Sequence, residues 1–314
     1  MPFTYEKIQY RSESCIEITG FTGAARHLSV PDRIEGLPVR SIGRHAFAGR
    51  GDLQEVYLPG SVRRLNLFAF HNCPNLRRMT VFDSVEDYYD GVIRQCSALD
   101  EIEMHCNGRS YALMKEMLGD NDKAMSFLLH IRPSADQSGS DQDAPDQKEE
   151  EEDIRLSFPD YALIASENTM ARTIQFAYEG GGYQYRQCVR KTEIRYREYD
   201  RLFPFMEHDD PSFAAVIATD RLMYPHDLDP AAESKYTAFL REHAEEALKR
   251  FIVNSQIERV RLITDKGLAD AEAVAAALRT ASERKETAIC ALLMDEGRRS
   301  REGAASLTLE LEDW

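Results

Sequence analysis

The stretch SIGRHAFAGRGDLQEVYLPGSV, residues 41–62, is echoed at once by RLNLFAFHNCPNLRRMTVFDSV, residues 64–85, at an offset of 23 residues. Carried one unit further, the same offset aligns Phe47, Phe70 and Ile93; Leu53, Leu76 and Leu99; Val56, Met79 and Ile102; and Leu58, Val81 and Met104. Apolar columns that persist through three units mark a repeat, and a period in the twenties is that of a solenoid. Within a unit, LQEVYLP alternates apolar and polar residues, which predicts a short strand with one face inward, closed by Pro59. One unit alone cannot bury that face. Stacked units can, with like residues forming ladders between strands about 4.8 Å apart.

An open solenoid exposes its core and its strand edges at both ends, so caps are expected. At the start, FTYEKIQYRSESCIEITGFTG holds two alternating runs that predict a capping hairpin. At the other end, SYALMKEMLGDNDKAMSFLLHI carries Leu113, Met117 and Leu118 at helical spacing, then a Gly-Asp-Asn stop, and predicts a closing helix. The succession from about residue 16 to 105 resembles the BspA-like (Treponema-type) leucine-rich repeat family. Its I-G-x-x-A-F turn is matched by Ile42, Gly43, Ala46 and Phe47, then by Leu65, Asn66, Ala69 and Phe70; its C-x-x-L closing is matched by Cys73 with Leu76 and Cys96 with Leu99. Arg50 stands where the first cysteine would be, and DYYDGVI replaces the third turn. The resemblance implies an extended surface for protein contacts.

His71, Cys73, Cys96, His105 and Cys106 invite a zinc reading, but no tight C-x-x-C knuckle exists, and Cys73 and Cys96 share a repeat column. They are read as small core residues, and no metal or cofactor is expected. The six cysteines are spread thinly, the start lacks the pattern of a secretory signal, and no apolar run is long enough to span a bilayer. A cytoplasmic location with reduced thiols is the expectation.

The net charge of −15 argues against non-specific nucleic-acid binding. Acidic side chains crowd residues 131–157, where Asp136, Asp141, Asp143, Asp146 and the run from Glu149 to Asp153 leave little apolar surface. Such a segment cannot offset its ordering entropy and reads as a disordered linker. The domains are therefore expected at 1–130 (capped repeats), 158–205 (a β-hairpin sheet) and 206–300 (helical), with a mobile tail at 301–314.

In the second half, EGGGY (179–183) is read as a hairpin turn, which makes YQYRQCVRKTEIRYREY a strand region. From Pro211 the pattern is helical: one segment ends before Pro225, and a long helix starts at the Asp229 cap with Pro230 at its first position. VRLITDKG (260–267) and CALLMDEG (290–297) match at 30 residues and resemble ankyrin-type helices. The fold class is thus α+β, a short leucine-rich-repeat β-solenoid joined to a β-hairpin plus helical-hairpin region. A non-enzymatic protein-interaction module is the favoured function. Two alternatives stay open. One is an enzyme or ligand site in 158–300 using His208, Asp209 and Asp210, His226 with Asp227 and Asp229, or Cys188. The other is a nucleic-acid-binding sheet at 174–201 built from interleaved Arg and Tyr.

Overall fold

A computed structural model describes residues 2–107, 110–132, 152–168 and 173–296. The chain divides into two compact units, Met1–Leu202 and Phe203–Trp314.

The first unit is a β-solenoid with two sheets. The outer sheet runs β12-β11-β10-β8-β6-β3, from β3 (His27–Ser29), β6 (Glu55–Tyr57), β8 (Arg78–Phe82), β10 (Glu101–Cys106), β11 (Met125–Ile131) and β12 (Glu152–Phe158). From β3 to β11 its pairings are parallel, and the register places Leu28, Val56, Met79, Ile102 and Phe127 side by side. The second sheet runs β1 (Phe3–Tyr10), β2 (Glu13–Phe21), β5 (Leu37–Ile42), β7 (Arg64–Leu65) and β9 (Asp87–Tyr88), with β4 (Arg33–Ile34) paired to β5. Phe47, Leu53, Val56, Leu58, Phe70, Cys73, Leu76, Met79, Val81, Cys96, Leu99 and Ile102 all lie in the interior, at 2% exposure or less. Phe47 and Phe70 stack at 5.0 Å, a ladder contact that the fixed period makes possible.

Three successive turns of the solenoid bend at the same two left-handed positions, His45, Phe68 and Gly91 in one column and Gly49, Asn72 and Gln95 in the other. This accounts for the third unit's divergent DYYDGVI: Gly91 takes the left-handed column without strain, and a Cβ there would lie 2.3 Å from the Phe68 ring. The turns are bonded through their backbones, with Phe47 N–H donating to the Ala69 carbonyl (2.8 Å) and Phe70 N–H to that of Val92 (2.9 Å).

Both ends are closed by side chains that imitate a missing repeat. Cys73 and Cys96 thiols donate to the carbonyls of Phe47 (3.2 Å) and Phe70 (3.1 Å). At the end of that column the Asn121 amide donates to Ile93 and Cys96 carbonyls, while at its start Arg50 donates to Phe21 and Gly23 carbonyls of the β1–β2 hairpin. Asp120, at the end of α1 (Ala112–Asp120), accepts from the Gly91 (3.0 Å) and Ile93 (2.9 Å) amides, which in earlier turns bond to the next repeat's carbonyls. The expected closing helix thus ends in a carboxylate that stands in for two carbonyls.

Beyond α1 the structure differs from the sequence reading. Residues 125–131 form a further sheet strand. Residues 152–157, placed in the linker from sequence, form β12, which pairs antiparallel with β11. Residues 133–151 and the 301–314 tail lie outside the described residues. The hairpin is β13 (Ala162–Asn168) with β14 (Thr173–Glu179). EGGGY is therefore not its turn. YQYRQCVRKTEIRYREY is not a strand region either: it holds α2 (Gly182–Gln187) and α3 (Tyr196–Arg201), linked by a bridge between Val189 and Ile194. The reason is packing, since Tyr185 and Tyr199 are buried and the Tyr199 hydroxyl donates to the Ser157 carbonyl of β12. Arg186, also buried, donates to the carbonyls of Leu118, Pro159, Gly182, Asn121 and Lys123, tying α2 to the solenoid's cap.

The second unit is helical: α4 (Phe203–Asp209), α5 (Pro211–Met223), α6 (Pro230–Glu242), α7 (Ala244–Val253), α8 (Ile257–Asp265), α9 (Ala271–Glu283) and a helical stretch at 287–296. The single long helix expected after Asp229 is broken at His243, whose ψ of 26° leaves the helical region and whose ring packs on Phe239. The hairpins α7–α8 and α9–287–296 are equivalent. Ser255 and Lys285, 30 residues apart, both have positive φ, and the matched bonds Gln256 N–H to Phe251 O and Glu286 N–H to Ala281 O close the two helix ends. Helix α5 is enclosed, and its buried Asp220 accepts from Arg259 Nε at Oδ1 (3.1 Å) and from Nη2 at Oδ2 (3.0 Å).

Candidate functional site

Because successive residues of a strand face opposite ways, burying one face of the outer sheet sets the other into rows. One row carries His27, Glu55, Arg78 and Glu101; a second carries Tyr57, Thr80, Glu103, Leu128 and Arg155; a third carries Phe82, His105, His130 and Asp153. The first row is laced by polar contacts, a hydrogen bond between His27 Nδ1 and Glu55 at 2.8 Å and an ion pair from Arg78 to Glu101 at 2.6 Å, with Arg155 reaching Glu101 at 3.3 Å. The rings form one continuous stack: Tyr57 meets Phe82 edge-on at 6.1 Å, Phe82 stacks on His105 at 4.6 Å, and His105 on His130 at 4.8 Å.

At the end of the stack the donors converge. His130 Nε2 lies 3.2 Å and His105 Nε2 3.7 Å from the same Glu103 Oε1, while His130 Nδ1 lies 2.7 Å from Asp153 Oδ1. The sequence offered His105 for metal binding but with the wrong companions. Cys73, Cys96 and Cys106 are buried, and His71 packs edge-on against Phe68. His130 and Asp153 were missed because β11 and β12 were not read as strands, and Glu103, on β10, had no visible partner without them. The alternation of Met125, Phe127 and Leu129 in MSFLLHI was the available signal.

Two concave features lie on the described residues of the solenoid. A depression of about 130 Å³ lies along His27, Ser29, Glu55, Tyr57, Arg78 and Thr80, below the roughly 300 Å³ that small-molecule sites require. On the other sheet an open groove of about 380 Å³ is lined by Arg11, Arg40, Arg63, Glu13 and Glu86, which pair with one another.

The groups considered for catalysis are dispersed. Asp210 caps α5 by accepting from Phe213 N–H (2.9 Å), Asp229 caps α6 by accepting from Ala231 N–H (2.8 Å), and His208 and Asp209 are exposed. Cys188 is buried with its thiol against the Gln184 carbonyl, and burial pushes its pKa up to about 12, the opposite of an activated nucleophile. The sheet expected over 174–201 stops at β14: α2 and α3 follow it, and Tyr185, Tyr196 and Tyr199 are buried, so those three rings offer no faces for bases.

A family model described as a BspA-type leucine-rich repeat region matches residues 28–113, which are therefore such a region. No curated protein matches the chain. Among solved structures, a leucine-rich repeat protein from Bacteroides ovatus is 23% identical over 34% of this chain and 32% of its own (TM-score 0.28). A leucine-rich cell surface protein from Faecalibacterium prausnitzii is 24% identical over 36% and 33% (TM-score 0.28). A T. pallidum leucine-rich repeat protein is 24% identical over 32% and 68% (TM-score 0.23). The chain spans about a third of the length of the first two.

Proposed function

We propose that the chain is a non-enzymatic protein-interaction module whose recognition surface is the outward face of β6, β8, β10 and β11. The observation that carries this reading is the continuous chain of ring contacts from Tyr57 through Phe82 and His105 to His130, flanked by charges, on a sheet whose other face is the packed core. Rigid aromatic side chains held on a scaffold lose little entropy on binding and are favoured as contact anchors. Leucine-rich repeats generally serve as protein-interaction surfaces, and open repeat arrays suit extended contacts. The helical unit, with its two hairpins repeating at 30 residues, is proposed as a second, ankyrin-like repeat surface. The acidic stretch before β12 is proposed as a tether, and a reducing, cytoplasmic location is supported by the six unpaired thiols, five of them buried.

The test places a photo-crosslinking amino acid at Tyr57 of the full chain, and separately at the exposed Arg44, in a cytosolic extract. A discrete protein captured from position 57 and lost on adding Phe82→Asp supports the reading. Capture from position 44 alone, or capture indifferent to Phe82→Asp, refutes the assignment of this face.

A further inference from the structure

We infer that Glu103, His105 and His130 form a binding site for a divalent transition metal ion, zinc being the best match, with Asp153 as the group that orients His130. The three donors come from two adjacent parallel strands. Glu103 and His105 lie two residues apart on the same face of β10, and His130 is the register partner of His105 on β11. Their ligand atoms all lie within 4.8 Å of one another. Zinc bonds of about 2.0–2.1 Å at tetrahedral angles put donor atoms about 3.4 Å apart. The separations from Glu103 Oε1, 3.2 Å to His130 Nε2 and 3.7 Å to His105 Nε2, bracket that edge.

Two further features separate this group from an incidental ion pair. Both imidazoles bring Nε2 within 4 Å of one carboxylate oxygen, and a carboxylate needs no second imidazole to be satisfied. The rings are also fixed before any ion arrives, by the stack from Phe82 through His105 to His130 and by Asp153 on the far nitrogen of His130. A histidine ligand that gives its other N–H to a carboxylate is the usual outer arrangement at metal sites, because it sets the tautomer and strengthens the donor nitrogen. Two imidazoles and a carboxylate are the donor set of three-ligand zinc sites that keep a position open, and this face of the sheet points to solvent, where water can fill it. Imidazole donors favour zinc, nickel and copper over magnesium or calcium.

The test uses the full chain, with Zn²⁺ alone as titrant in calorimetry and Co²⁺ as an optical probe. One equivalent of zinc binding, a cobalt d–d band displaced by zinc, and loss of both in His105→Ala and His130→Ala are the expected results. Asp153→Asn is expected to weaken zinc binding about 10-fold while keeping the cobalt band, as for a positioning residue. These side chains stand on the outer face, so circular dichroism of the variants should match the parent. Absence of zinc binding by the parent at 100-fold excess overturns the proposal. So does stoichiometry and affinity unchanged in the His105→Ala/His130→Ala double variant, which would place the metal on other groups.

Discussion

Replacing Asp120 by asparagine exchanges one carboxylate oxygen for an NH₂ group and tests whether a side chain truly closes the repeat array. The carboxylate is nearly enclosed, with 4% of its side chain exposed, and it accepts from the Gly91 and Ile93 amides and from the Tyr88 hydroxyl at 2.8 Å, with Arg94 at 3.3 Å. Alanine removes both acceptors and leaves two buried N–H groups without partners, at about 1–3 kcal/mol each. Part of this is offset because a desolvated charge also disappears, so a net loss of about 3–4 kcal/mol is expected. For a unit of this size that lowers Tm by about 8–14 °C. Asparagine retains one acceptor but turns a donor toward a donor, so it should lose about 2 kcal/mol rather than behave as a neutral isostere. Thermal unfolding of the full chain gives the shift, and hydrogen exchange gives the location. Protection should fall at Gly91 and Ile93 in both variants while Phe47 and Phe70, bonded to neighbouring turns, keep theirs. If both variants lie within about 0.5 kcal/mol of the parent with Ile93 protection unchanged, the carboxylate is not the cap and helix packing alone closes the stack.

Asp52 should shape the acid limb. Arg50's hydrogen bonds, opposed by partial burial and helped by the Ala25 amide, hold its carboxyl at about 2, below the ordinary 3.8. The unfolded chain therefore binds more protons between these values, so the contribution is complete above about pH 4 and lost as pH falls through about 2. With solvent screening it amounts to about 1 kcal/mol, and Asp52→Asn should flatten acid unfolding in that window. Thiol reactivity at pH 8 should separate the cysteines: Cys290, partly exposed, labels first, whereas Cys106 and Cys188, both pushed up to about 12 by burial, label only on unfolding. Equal native labelling rates would contradict the packing described. Gly182→Ala puts a Cβ 2.2 Å from the Pro159 carbonyl and 2.4 Å from that of Asp160, backbone atoms that cannot step aside. Loss of at least about 2 kcal/mol is expected, and an unchanged Tm would show that α2 does not sit against β12 as closely as described.

The sequence alone carried the repeat, because a 23-residue period with apolar columns can be satisfied only by stacking. It also carried the two caps as patterns, and the helix starts at Asp210 and Asp229, because capping is local chemistry between a side chain and an amide a few residues away. The divergent third unit and the Arg50 in a cysteine column looked like decay of the repeat. In the structure each answers a geometric demand, a left-handed turn beneath the Phe68 ring and a donor long enough to reach the N-terminal hairpin. What tertiary structure decided was the far edge of the sheet and what packs there. Strand β12 pairs with β11 across an intervening acidic segment, a long-range pairing with no local signature. Aromatic and arginine residues at 183–201 suggest a strand until β12 offers Tyr185 and Tyr199 a surface that rewards a helix instead. The Glu103, His105, His130 and Asp153 group depends on that same edge. Its residues are far apart in the chain, and only the register of three strands makes them neighbours.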